Sequence, residues 1–210
     1  MSYITYQNKM LQSGNKYVSK IAAPIVSGVI NFQTLSDKIE FASQPDVTGN
    51  KTFTTNLFIG SSASEMQIGL MNASNDFLFI SYTISADTGA NKVLTVNTKN
   101  SPPGVIRQYY NIDSYLNQII TLEIIKTSSS ITSVKINNNT LTKIGDGYFN
   151  NGGSSLKTIA GQYYSIWDVE IAGVAQWVGY PNGNTSGAWE DTIGSNDGTV
   201  SGFSTTRNLF

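Results

Sequence analysis

The chain has 210 residues, of which only 13% are charged, and its net formal charge is −1. It contains neither cysteine nor histidine, which excludes thiol chemistry, disulfides and the usual general base and metal ligand. There is no basic stripe to hold a nucleic acid, and no apolar run reaches the roughly 18 residues that a membrane span needs. No signal-peptide pattern follows Met1, and cysteine is absent, so we expect assembly in a reducing cytoplasm. We expect neither a nucleic-acid partner nor membrane insertion.

Residues 1–32 form the first predicted unit and fit two interpretations. Tyr17–Ile21 alternates weakly in polarity after the turn at Ser13–Lys16, and Pro24 and Gly28 interrupt the rest of the segment. The segment is either one or two edge strands of the main domain, or an arm that docks on a neighbouring subunit. The residue pattern leaves both interpretations open.

From Val29 onward, short strands follow one another, with turns rich in glycine, asparagine and proline between them. Phe53, Leu57 and Ile59 share one face of a predicted strand. Phe77–Ile84 is apolar on both faces, as in a central strand that is covered on both sides. Further strands are predicted at 29–32, 38–41, 66–70, 93–96 and 105–110, with one short helical turn within 113–117. Such regular short strands indicate a β-sandwich or barrel.

The clearest single signal is a hairpin between Gln118 and Ile136. Ile120, Leu122 and Ile124 fall on one face of its first strand, and Val134 and Ile136 on one face of its second. Asn137-Asn138-Asn139 then tolerates positive φ and turns the chain again. The pattern predicts an antiparallel pair with one buried face.

The strand at Tyr163–Ile171 carries an inconsistency in its alternation. Val169 and Ile171 share parity, but Ile166 does not. If all three side chains point inward, one extra residue must be absorbed between them. We therefore predict a β-bulge near Trp167-Asp168.

Three of these segments, in their order, resemble the laminin-G-like modules of the concanavalin A-like jelly roll. They are Lys38-Ile39-Glu40-Phe41, the hairpin followed by Asn137-Asn138-Asn139, and Ser165–Ile171. The resemblance covers roughly Lys38 to Gly173. It implies an all-β, antiparallel β-sandwich jelly roll of the concanavalin A-like lectin and glucanase type, which we place at residues 33–173.

The C-terminal segment, residues 174–210, carries a second motif. Asp191 to Gly202 resembles the opening strand of laminin-G-like modules, "-D-x-x-G-x-x-N-D-G-T-V-x-G-", but stands at the opposite end of the domain. Because sandwich termini usually lie close together, this strand can close its own sandwich or that of a neighbour by strand exchange. The short connection at Gly173-Val174-Ala175 favours closure in cis.

The same segment also resembles tails of bacteriophage tail, fibre and head-associated proteins. That resemblance, with the low charge, implies a non-enzymatic structural protein of a phage virion. Its expected partners are other virion proteins and copies of itself in a homo-oligomer, and host surface glycan is a further expected partner for attachment. The alternative is a free-standing carbohydrate-binding lectin module.

The C-terminal segment also holds the candidate binding residues. Trp177, Tyr180, Trp189 and Asn184 are predicted to bind carbohydrate, because rings stack on sugars while amides bond hydroxyls; their other interpretation is core or interface packing. Asp191, Asn196 and Asp197 are oxygen donors for Ca²⁺ in a glycine-rich loop, or else they cap a turn.

A glycoside hydrolase is the least favoured function. Asp168 and Glu170 place two carboxylates on one face of a regular strand, with Cα atoms roughly 6.6 Å apart. The fuller "E-x-D-x-x-E" pattern of jelly-roll glucanases is absent, because Ile166 stands where it has its first glutamate. In the pairs Tyr109-Tyr110 and Tyr163-Tyr164, one ring is expected to face inward and the other outward.

Overall fold

The computed structural model describes residues 11–13, 16–18, 30–43, 45–63, 65–71, 76–89, 91–98, 105–128, 130–149, 156–172, 174–177, 187–189, 191–192 and 196–201. Within these ranges the chain forms β-strands and two single 3₁₀ turns, Ala86–Thr88 and Asp113–Tyr115. The second turn confirms the short helical turn predicted from the sequence. No helix in the described ranges is long and apolar enough to cross a membrane.

The strands are numbered in chain order. They are β1 Leu11–Ser13, β2 Lys16–Val18, β3 Ile30–Phe32, β4 Lys38–Phe41, β5 Lys51–Ile59, β6 Glu65–Met71, β7 Leu78–Ser85, β8 Asn91–Asn97, β9 Val105–Tyr110, β10 Ile119–Lys126, β11 Ile131–Ile136, β12 Asn139–Thr140, β13 Lys143–Phe149, β14 Leu156–Gln162, β15 Tyr164–Ile171, β16 Val174–Trp177, β17 Gly187–Trp189 and β18 Gly198–Ser201.

Two antiparallel sheets form the sandwich. The seven-stranded sheet has the order β12-β11-β10-β5-β15-β16, and β3 pairs with β15 beside β16. The nine-stranded sheet has the order β13-β9-β8-β7-β6-β14-β4-β18-β17. Neighbours in space are often distant in sequence, as in a jelly roll, and the fold is the all-β sandwich that the sequence predicted.

The core lies between the sheets, because one face of each strand is apolar. In β5, Phe53, Leu57 and Ile59 are buried, as predicted, and they pack in one cluster with side chains of the opposite sheet. Trp189, near the C-terminal end of the described chain, belongs to the same cluster. In β7, Phe79 is buried on the face opposite the core, so the first part of this central strand is covered on both sides as predicted, whereas Ile84 near its end is 58% exposed.

The predicted hairpin is formed by β10 and β11. Leu122 pairs with Ile136 and Ile124 with Val134, and all four side chains are buried. Asn137 and Asn138 turn the chain with φ of 51° and 65°. Two successive positive φ values are what the tight type I′ hairpin turn requires, and asparagine adopts them at low cost.

The predicted bulge is present in β15. Trp167 pairs with Asn56 of β5 but Glu170 pairs with Thr54, so three steps along β15 match two along β5. The extra residue is accommodated at Asp168, whose φ is 52°. As a result Ile166, Val169 and Ile171 all point into the core despite their mixed parity.

A buried ammonium closes one end of the sandwich. Lys126, the last residue of β10, is 1% exposed and has the inward parity of Ile124. Its Nζ donates to Val47 O at 2.7 Å, to Gly49 O at 3.0 Å and to Asp76 Oδ1 at 2.7 Å. All three protons of the ammonium thus have acceptors. The second carboxylate oxygen of Asp76 accepts Gly49 N–H at 2.6 Å, so this pair fixes the 45–50 loop.

The terminal segments divide between the sheets. β3 is an edge strand of the sandwich, whereas the β1–β2 hairpin pairs with neither sandwich sheet. At the other end, β16 pairs with β15, while β17 and β18 form a hairpin in which β18 pairs with β4 of the same chain. The C-terminal strand is thus seated in cis in this structure. Docking of residues 1–32 on a neighbour stays a prediction.

Candidate functional site

The structure separates the four predicted carbohydrate-binding residues. Trp189 is fully buried in the core cluster, so its indole ring is not available to stack on a sugar, and this part of the prediction is wrong. The sequence could not show that β17 is folded onto the sandwich rather than exposed. Trp177 ends β16, opposite Val169. Tyr180 and Asn184 lie outside the described residues, and their binding roles stay predictions, as does that of Trp177.

The three predicted calcium ligands come together in the loop before β18, where they accept backbone N–H groups. Asp191 Oδ2 accepts Asn196 N–H at 3.1 Å, and Asp197 Oδ1 accepts Asp191 N–H at 2.9 Å. Asn196 Oδ1 accepts Ser43 N–H at 2.6 Å and ties the loop to β4. These bonds are those of a turn cap, and no cluster of three acidic side chains suited to a metal occurs in the described residues. Calcium binding stays a prediction.

The two carboxylates considered for glycoside hydrolysis do not occupy one regular strand. Asp168 is the bulged residue, and its carboxylate accepts a bond from Asn56 Nδ2 at 3.3 Å. Glu170 follows after the register has shifted. The even strand spacing expected for the pair is therefore not kept, because the bulge intervenes.

The tyrosine pairs behave as alternation predicts, with one addition. Tyr164 is buried and stacks on Phe32 with ring centroids 4.4 Å apart, whereas Tyr163 is 46% exposed. Tyr110 belongs to the core, and Tyr109 lies on the opposite face of the sheet, yet Tyr109 is also buried. Its hydroxyl donates to the Asp87 carboxylate.

The outer face of the nine-stranded sheet, which points away from the core, carries polar groups that the sequence analysis missed. One line of cross-strand partners, which we call the Arg107 row, crosses eight strands. Its members are Arg107, Asn97, Phe79, Gly69, Thr158, Glu40, Thr199 and Ala188. Their sequence neighbours, such as Val96 and Ile39, belong to the core, so the row from Arg107 to Thr199 faces outward.

A second line, the Tyr109 row, runs beside it on the same face. Its members are Tyr109, Thr95, Ser81, Gln67, Ala160, Lys38 and Ser201. Most members of both rows carry side-chain groups that can donate or accept hydrogen bonds. The local sequence signal for these rows was the alternation of polar and core residues in β8 and β6. That alternation does not show that the polar residues of different strands align across the sheet.

The two halves of the outer face differ in exposure. On β4, Lys38 and Glu40 are about half exposed and form an ion pair at 3.3 Å. On β8, Thr95 and Asn97 are buried. The Arg107 side chain is partly exposed, and its Nε donates a hydrogen bond to Asn97 Oδ1 at 3.3 Å. Phe79 and Ser81 on β7 are buried too. The outer face thus has an open half at β4 and a closed half at β7, β8 and β9.

Glycine shapes the closed half. Gly147 on β13 pairs with Arg107, and a Cβ atom there would collide with the Tyr109 hydroxyl and with Asp87. Gly145, which pairs with Tyr109, would place a Cβ 3.5 Å from the Tyr109 ring. The absence of side chains at both positions lets the Tyr109 ring lie against β13 and brings the Asp87 carboxylate over this strand.

Comparisons with known proteins identify no family for this chain. No family model matches the sequence, and no curated protein matches it. A solved structure, that of a galectin of Caenorhabditis elegans, LEC-6, is similar to this chain with a TM-score of 0.35 and 17% sequence identity. The match covers 68% of this chain and 96% of the galectin chain. The fold class, an antiparallel β-sandwich jelly roll, rests on the two sheets themselves.

Proposed function

We propose that this protein is a non-enzymatic carbohydrate-binding module whose outer face of the nine-stranded sheet contacts a glycan. The observation that carries this proposal is the pair of aligned polar rows. The part of the rows that is open to a ligand runs from β6 to β18 and crosses three strand intervals, which corresponds to about 14 Å at the usual spacing. A surface of that length fits a short oligosaccharide.

The chemistry of the rows favours sugar over other ligands. The hydroxyls of Thr158 and Thr199 can donate and accept hydrogen bonds, and the Gln67 amide can do both, as sugar hydroxyls can in return. The charges of Lys38 and Glu40 alternate in sign along β4 and pair with each other. A nucleic acid would need a cationic surface, and an apolar partner would need an apolar patch.

A glycan array followed by titration calorimetry tests the proposal. Glu40→Ala and Gln67→Ala remove groups from the outer face, and we expect each to weaken binding of the leading oligosaccharide about tenfold, the effect of losing ~1.4 kcal/mol. Glu123→Ala is the matched control, because Glu123 pairs with Lys135 on the seven-stranded sheet. Absence of binding to every glycan, or equal losses in Glu123→Ala, would reject the proposal.

A place in a bacteriophage virion is a second proposal, and it rests on the motif between Asp191 and Gly202. Its partners would be other virion proteins and copies of this chain, and a glycan-binding face would serve attachment to the host. Labelled antibodies against the chain should decorate phage particles in electron micrographs. Detection of the native chain only outside particles would contradict this proposal.

A further inference from the structure

Asn97 presents a polar atom with no use inside the protein. It is fully buried in the Arg107 row, and its Oδ1 accepts the bond from Arg107 Nε. Its Nδ2 is buried as well and has no hydrogen-bond partner. A guanidinium can only donate, so the atom facing it must be the oxygen. The amide nitrogen is therefore fixed on the other side, turned away from Arg107.

A buried donor without a hydrogen-bond partner destabilises the folded protein. Burying an amide without a partner loses its hydration and gains nothing, so folded proteins contain few such groups. Replacing the amide by an apolar side chain would remove the cost. A retained donor of this kind calls for an explanation by a ligand or a bound water.

The surroundings of Asn97 indicate what an added partner would be. Phe79, its cross-strand neighbour, provides a ring on the same face. Thr95 lies two residues before it on β8, and Ser81 pairs with Thr95, so two hydroxyls flank the amide. The Asp87 carboxylate stands over β13, beside the partner of Arg107. Arg107 and Asp87 thus place one charge of each sign in this region, so a neutral group fits better than a charged one.

From these contacts we infer that Asn97 Nδ2 is the specificity-determining donor of the glycan site, and that it binds a hydroxyl or ring oxygen of a neutral sugar. This inference rests on the proposed carbohydrate binding. Because Asn97 has no contact with solvent in the free protein, the sugar must displace the groups that close this half of the face. Association should therefore be slower than at an open site.

The test compares two asparagines by titration with methyl glycosides of galactose, glucose and mannose. Asn97→Ala should weaken binding of the preferred glycoside about tenfold, the equivalent of ~1.4 kcal/mol. The control is Asn56→Ala on the seven-stranded sheet. The Asn56 side chain is satisfied, because it donates to Asp168 and accepts from Thr121. Asn56→Ala should lower the thermal midpoint and leave binding unchanged.

Two further measurements keep the inference open to refutation if a variant folds poorly. In the wild-type protein, the side-chain amide resonance of Asn97 should shift on titration, and that of Asn56 should not. A series of glycosides that each lack one hydroxyl provides the second measurement. One member should bind the wild type more weakly than the complete glycoside does, yet bind Asn97→Ala as well as the complete glycoside does. If glycosides bind and Glu40→Ala lowers their affinity while Asn97→Ala does not, Asn97 binds only water. The inference about Asn97 then fails, while the proposed function stands. If no glycoside or glycan binds, the proposed function fails with it.

Discussion

Replacement of Lys126 by methionine should lower the free energy of unfolding by about 3–5 kcal/mol, the cost of breaking a buried ion pair from one side. Lys126 Nζ donates three hydrogen bonds of 2.7–3.0 Å, one of them to the carboxylate of Asp76. Methionine fills a similar volume but donates none of them. Asp76 would keep the Gly49 N–H but lose its cation.

The magnitude follows from these contacts. Hydrogen bonds to a charged group contribute about 1.5–3 kcal/mol each, so three contribute roughly 4.5–9 kcal/mol. Burial of the methionine side chain returns about 1.5–3 kcal/mol. The difference, about 1.5–7.5 kcal/mol, includes the loss expected for the buried pair. The free energy of unfolding of a folded domain is about 5–15 kcal/mol in total, so this loss would remove a large part of it.

Urea unfolding at pH 7 measures the effect, and Lys135→Met provides the matched control. Lys135 lies on the adjacent strand of the same hairpin and pairs with Glu123 at 2.7 Å, but both side chains are 30% exposed. The control should lose no more than about 1 kcal/mol. The difference between the two losses of unfolding free energy removes effects common to any Lys→Met change.

A loss of under 1 kcal/mol for Lys126→Met would refute this reasoning. It would mean that the desolvation of the ammonium outweighs its three bonds, as happens for some buried ion pairs. The double variant Lys126→Met with Asp76→Asn should then be no less stable than the wild type. If the reasoning holds, the double variant recovers part of the loss, because no carboxylate remains beside the apolar side chain.

Three other changes test the backbone and the ionisation of the fold. Asp168→Val puts a β-branched residue at φ 52° and should cost about 1–3 kcal/mol in urea unfolding, while Asp168→Gly should be nearly neutral; equal effects would argue against the bulge. Ala172→Gly, at φ 57°, should raise the thermal midpoint by relieving about 1 kcal/mol of strain, and a lower midpoint would contradict this. Burial, and secondarily Asp146, raises the pKa of Tyr110 from 10.0 to about 12. The unfolded chain therefore releases this proton first, so stability is full below pH 10 and is lost towards pH 12. Tyr110→Phe should flatten that loss in unfolding curves across this range, and an unchanged slope would contradict the assignment.

Local sequence determined a large part of this structure, because strand periodicity and turn chemistry act over a few residues. The parity conflict between Ile166 and Val169 was sufficient to predict the bulge, since both residues had to face the core. Asn137 and Asn138 specified the turn between β11 and β12 through their tolerance of positive φ. The absence of cysteine and histidine limited the possible chemistry without any structure.

Only the tertiary structure decided which polar residues meet. Glu40 pairs with Thr158 and Thr199, more than 100 residues further along the chain, and no local pattern encodes that register. The same holds for Trp189, which looked exposed in a polar tail but is buried because β18 pairs with β4. Lys126 reads as the charged end of a strand, and its burial depends on acceptors from two distant loops. Side-chain periodicity assigns each residue to a face, whereas the alignment of rows on that face is set by the packing of the whole sheet.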